Sequence, residues 1–110
     1  MASYLFEVNY TSAALAALVA NPQDRVQVVS KAVKKLGGKV IGFWFAFGDS
    51  DVVGILDMPD NASMAAFAMA IGAGGACTKV KTTALLSVSE ALSAMEKAST
   101  TGYKPADRST

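Results

Sequence analysis

Histidine is absent from this chain of 110 residues, and cysteine occurs once, as Cys77. The first absence removes the commonest general base and the commonest metal ligand together. The second excludes an intrachain disulfide and any cysteine-cluster metal site. Charged residues make up only 17% of the chain, and the net charge is +1. So balanced a charge does not build the basic surface that nucleic-acid binding needs, and no nucleic-acid partner is expected. No basic segment leading into an apolar one opens the chain, so the expected compartment is the cytoplasm. Between Asp60 and Lys79 no charge occurs, yet the apolar part falls short of the about 20 residues of a membrane span. It also ends in Gly72, Gly74 and Gly75. A buried Ala- and Met-rich helix is the expectation there, with no membrane partner.

What is present is apolar: 52% of residues are hydrophobic. One small domain has little interior relative to its surface. Such a composition implies a core built largely from Ala, apolar surface covered by another subunit, or both.

The hydrophobic periods define the elements. Ser3 to Tyr10 alternates, with Tyr4, Phe6 and Val8 on one face and Leu5, Glu7 and Asn9 on the other, as a half-buried strand does. Thr11 or Ser12 caps a short helix over Ala13 to Ala20. Asn21, Pro22 and Asp24 have the chemistry of a second helix start: a cap, a first-turn proline and a first-turn carboxylate. Val26, Val29, Val33 and Leu36 form its apolar stripe, and Gly37-Gly38 ends it. Lys39 to Phe47 reads as a strand with Ile41, Phe43, Phe45 and Phe47 on one face and Val40, Gly42, Trp44 and Ala46 on the other. Gly48-Asp49-Ser50 turns the chain into a strand over Asp51 to Met58. Asp60 or Asn61 caps a helix over Ala62 to Ile71, and Gly72 to Gly75 ends it. Cys77 to Leu86 is the last strand. Ser87 and Glu90 stand in capping-box spacing before a helix reaching Ala98.

The order β-α-β-β-α-β with an added C-terminal helix is that of the α+β, ferredoxin-like fold with a four-stranded antiparallel sheet. Residues 1–98 form the domain and 99–110 a polar tail. Both crossover helices then cover one sheet face. The other face carries apolar residues, so a homodimer or higher homo-oligomer is expected to cover it.

Several blocks together resemble the GYD domain family: Tyr4 to Thr11, Asn21 to Arg25, Leu36 to Gly38, Phe45 to Val53 and Lys81 to Leu86. Thr100 to Pro105 resembles the family's tail. The resemblance implies a dimeric α+β barrel assembly and no particular reaction. Gly48 and Asp51 match the turn that names the family, whereas Ser50 stands where its tyrosine is expected.

Candidate site residues follow from the strand pattern. Glu7, Asn9, Lys79, Lys81 and Thr83 fall on the open face, where neighbouring first and last strands bring them together. With Trp44 as a wall or subunit anchor, Glu7, Asn9, Lys79 and Lys81 form a candidate site for a small anionic ligand. A structural cross-subunit Glu–Lys pair is the alternative. Asp49, Ser50 and Asp51 have the composition of a turn, not of a cation loop. Cys77 has no histidine to activate it and reads as packing. Gly72-Ala73-Gly74-Gly75 follows a helix, whereas a phosphate loop precedes one. No cofactor is expected. A non-enzymatic binding or assembly module is the preferred function. The alternative is a cofactor-independent monooxygenase- or isomerase-like enzyme, with Glu7 and Lys79 or Lys81 as acid and base.

Overall fold

The alternation of β1 (Ala2–Tyr10) sets the core: Tyr4, Phe6 and Val8 are buried and the residues between them are half-buried. The structure is a computed structural model and describes residues 1–106. After β1 come α1 (Ser12–Ala20), α2 (Val26–Lys35), β2 (Lys39–Phe45), β3 (Val52–Met58), α3 (Asn61–Ala73), β4 (Cys77–Leu85) and α4 (Val88–Ala98). The strands form one antiparallel sheet in the order β2-β3-β1-β4. This α+β arrangement agrees with the ferredoxin-like pattern.

Strand register sorts the side chains by face. Val40, Leu56, Tyr4 and Ala84 form one transverse row; Phe43, Gly54, Phe6 and Thr82 form the next. These rows face the helices. Val33 of α2 and Met64 and Phe67 of α3 complete the core, with the Phe67 ring tilted against Phe6 at 5.1 Å between centroids. Alternating rows, including Gly42, Ile55, Leu5 and Thr83, face away from the helices.

Two irregularities change what simple alternation implies. Ile41 has no partner in the β2–β3 register: Val40 pairs with Leu56 and Gly42 with Ile55. This bulge places Val40 on the core side with Phe43, and not with Gly42 and Trp44 as a regular strand would. Ile41 is left exposed. β2 also stops at Phe45, so Phe47 is fully exposed in the connection to β3. The second irregularity is at Thr78, where Asn9 pairs with Lys79 and Tyr10 with Cys77. It turns Cys77 to the same side as Tyr10.

Local capping agrees with the sequence except at one helix. Thr11, Asp60 and Ser87 each accept a backbone N–H at their helix starts, and Ser87 with Glu90 makes the full capping box. Asn21 instead closes α1 as its C-cap, donating its N–H to the Ala17 carbonyl. α2 therefore begins at Val26, where the Asp24 carboxylate accepts the Val26 N–H at 2.8 Å. An Asp two residues upstream is a strong local competitor for the cap, and residues 21–25 stay outside both helices. Gly37 adopts φ +83°, the left-handed conformation that ends α2.

Three apolar surfaces stay uncovered. α1 buries none of its residues, and Leu15 and Val19 are exposed. α4 also buries none, although Val88, Leu92 and Met95 lie along it. The sheet face opposite the helices is the third. The chain is extended in outline, with a Cα radius of gyration of 18.0 Å, where a compact chain of this length has about 13 Å.

Candidate functional site

The sheet has two chemically different sides, and the residues singled out from the sequence lie on the open one. Glu7 sits opposite Lys81 on β4 and opposite Val53 on β3, which in turn faces Trp44. Asn9 sits opposite Lys79. The register thus gathers Glu7, Asn9, Lys79, Lys81 and Trp44 onto one face. They form no enclosed pocket, since Lys79 and Lys81 are exposed and Trp44 is 55% exposed.

Glu7 and Asn9 are also tied to the β2–β3 connection. The Ser50 hydroxyl donates to Glu7 Oε2 at 3.1 Å, and Asn9 Nδ2 donates to the Asp49 carbonyl at 2.9 Å. The Trp44 indole lies over Gly42, whose missing side chain makes room for it: an added Cβ would meet the ring. This close approach orients Trp44 along the sheet surface.

The other side of the sheet contains a cavity of about 250 Å³ between the strands and the helices. Phe6, Val8, Val52 and Phe43 come from the sheet, Val29 from α2, and Ala70 and Ile71 from α3. Three polar or reactive groups also line it: Tyr10, Arg25 and Cys77. Arg25 precedes α2 and makes no side-chain capping bond, and its guanidinium donates to Gln23 Oε1 at 3.1 Å. Burial pushes the Tyr10 phenol above its usual range, with the nearby Cys77 and Asp51 adding to the shift and Arg25 opposing it. Burial likewise raises the Cys77 thiol, and Asp51 adds to the effect.

Asp51 organises this end of the sheet. Its carboxylate accepts the Tyr10 N–H at 2.8 Å, its own N–H donates to the Val8 carbonyl, and its carbonyl accepts the Ala46 N–H. The turn reading of Asp51 agrees with these bonds. Tyr10 and Arg25 escaped notice in the sequence. For Tyr10 the signal is the unpaired Thr78, which cannot be recognised without the opposing strand; Arg25 has no local signal.

These features coincide with a family assignment. The chain matches the GYD domain over residues 4–95 and belongs to that family. Among solved structures it is similar to the crystal structure of MtbAldR, at 15% identity and a TM-score of 0.55. That likeness covers 78% of this chain and 52% of the other, so this chain spans about half the length of that protein. At such identity the shared feature is the fold. No curated protein matches the chain. Among the described residues, no helix is long and apolar enough to cross a membrane.

Proposed function

We propose that this chain is a non-enzymatic oligomeric module, two copies packing through their open sheet faces in the manner of a dimeric α+β barrel. The observation that carries the reading is the composition of that face: Leu5, Val53, Ile55 and Trp44 lie side by side with no helix over them. Two strands of nine residues and two of seven, at about 3.4 Å per residue and about 4.8 Å apart, make a face of roughly 27 by 19 Å. Two such faces bury on the order of 1,000–1,200 Å², near the lower limit of a specific dimer.

Charge supports the same occupant. Glu7 and Asp57 lie on the inner strands of the face, while Lys79 and Lys81 line the β4 edge. Carboxylates and ammonium groups on one face give it the mixed charge that self-pairing surfaces use. In this reading Trp44 is an anchor, and Glu7, Asn9, Lys79 and Lys81 set register. The preference for binding or assembly over catalysis rests on the residue inventory, which lacks histidine.

Native mass spectrometry at about 100 μM chain, well above a micromolar dissociation constant, tests this. The expected mass is a multiple of 11.3 kDa, reduced to one chain by Trp44→Lys with an unchanged circular dichroism spectrum. A small anion held at Lys79 and Lys81 would appear as added mass. A single folded chain of wild-type protein at that concentration overturns the proposal.

A further inference from the structure

The cavity on the helix side of the sheet lies apart from the face proposed for pairing, and its lining has a marked polarity. Its floor and roof are apolar, supplied by Phe6, Val52, Phe43, Val29 and Ile71, and its one cation is Arg25. From this arrangement we infer that the cavity binds a small organic acid with an apolar body, its carboxylate received by Arg25 with Tyr10 beside it.

Three features define that ligand class. Size comes first. A volume of about 250 Å³ sits just below the range of drug-sized sites, which suits a molecule of about ten non-hydrogen atoms. The space is partly open to solvent, so a ligand of this size can enter it. Chemistry comes second. An apolar lining with a few convergent polar groups is what fixes the orientation of a largely apolar ligand. A guanidinium takes a carboxylate through two parallel hydrogen bonds, and Arg25 is held by a neutral amide, Gln23 Oε1, which an anion displaces readily.

The third feature is direction. Asp51 lies close enough to influence Tyr10 and Cys77 electrostatically, although it does not line the cavity. Its carboxylate is committed to the Tyr10 N–H. Asp51 therefore disfavours an anionic headgroup close to the Tyr10–Cys77 pair, and Arg25 is the one lining group that attracts it. The apolar body then extends under Ala70 and Ile71 of α3. A phosphate or nucleotide needs more donors than this lining offers, and a sugar would leave its hydroxyls unpaired against Phe6 and Val52.

The inference does not depend on whether copies pair, because the cavity is formed within one chain. It is tested on the full chain by NMR titration with phenylacetate and hexanoate, with phenylacetamide as the uncharged control. The expected result is saturable shifts at Val29, Ile71 and Cys77, with phenylacetate bound at least about tenfold tighter than phenylacetamide. Arg25→Gln should abolish that preference while leaving amide binding in place, and Val29→Phe should weaken both by filling the space. Occupancy should also slow alkylation of Cys77. Absence of saturable shifts up to about 10 mM, beyond even weak millimolar binding, overturns the inference. So does equal affinity for acid and amide in the wild-type chain, or an acid preference that survives Arg25→Gln.

Discussion

The Ser50 hydroxyl donates a hydrogen bond to Glu7 Oε2 at 3.1 Å, joining the β2–β3 connection to the middle of β1 across 43 positions of sequence. Ser50 lies in the connection between β2 and β3, and this contact ties that connection to β1. Ser50→Ala removes the donor from a half-buried carboxylate and should cost about 0.5–1.5 kcal/mol, read as a lower urea midpoint at constant slope. An unchanged midpoint would mean that water replaces the hydroxyl without loss.

Two glycines separate cheap from expensive crowding. A Cβ at Gly38 would stand 2.6 Å from the Asp57 carbonyl oxygen, which is backbone and cannot turn away. Gly38→Ala should destabilise the domain by about 1–3 kcal/mol, the usual range for overpacking. At Gly42 the obstacle is the Trp44 ring, an exposed side chain that can yield where backbone cannot. Gly42→Ala should leave the melting temperature nearly unchanged, shift Trp44 fluorescence and weaken self-association. A melting temperature lowered as far as in Gly38→Ala would show that Trp44 is fixed.

Asp60 and Glu90 both have carboxyl groups held below their usual range, first by the backbone N–H groups of Ser63 and Ser87. A carboxyl depressed in the folded state stabilises above its unfolded pKa, and that contribution is lost as pH falls through the folded value. The loss therefore begins below about pH 4. Asp60→Asn keeps a capping oxygen but cannot titrate, so its stability should vary less with pH below that point than the wild type's. Parallel acid profiles for the two proteins would remove Asp60 from the acid response.

Cys77 should be a slow thiol. Burial, aided by Asp51, raises its pKa and lowers the thiolate fraction at neutral pH. Iodoacetamide at pH 7.5 should modify it more slowly than a free thiol, and Asp51→Asn should accelerate the reaction modestly. Reaction at the free-thiol rate in the wild type would contradict this.

Ser87→Ala breaks the capping box of a helix that buries none of its residues. A lost cap costs about 1 kcal/mol of helix stability. In an isolated chain that loss should stay local, seen as faster amide exchange over 88–98 with no change in the unfolding of the sheet. Coupled loss of dimer and helix in the same variant would place α4 within the subunit contact.

Most of the scaffold could be read from residue order. Tyr4, Phe6 and Val8 alternate in a regular strand, Gly37 ends a helix in the conformation only glycine adopts easily, and Ser87 with Glu90 announces its own motif. The open-face cluster was legible for the same reason, since Glu7, Asn9, Lys79 and Lys81 lie where period-two counting holds. Counting failed at Val40, where an inserted residue exchanges the faces, and neither Ile41 nor Thr78 has a side chain that marks a bulge. Arg25 was invisible because its role arises from the space between two helices. Asn21 read as a helix cap, yet it closes α1, and the Asp24 carboxylate takes the Val26 N–H instead, a choice that local energies alone do not make.

The inserted residues at Ile41 and Thr78 lie on β2 and β4, the two outer strands of the sheet. A kinked border is a poor template for a neighbour's backbone, so endless ribbons of copies joined side by side are disfavoured. Growth by strand addition is hindered at both margins.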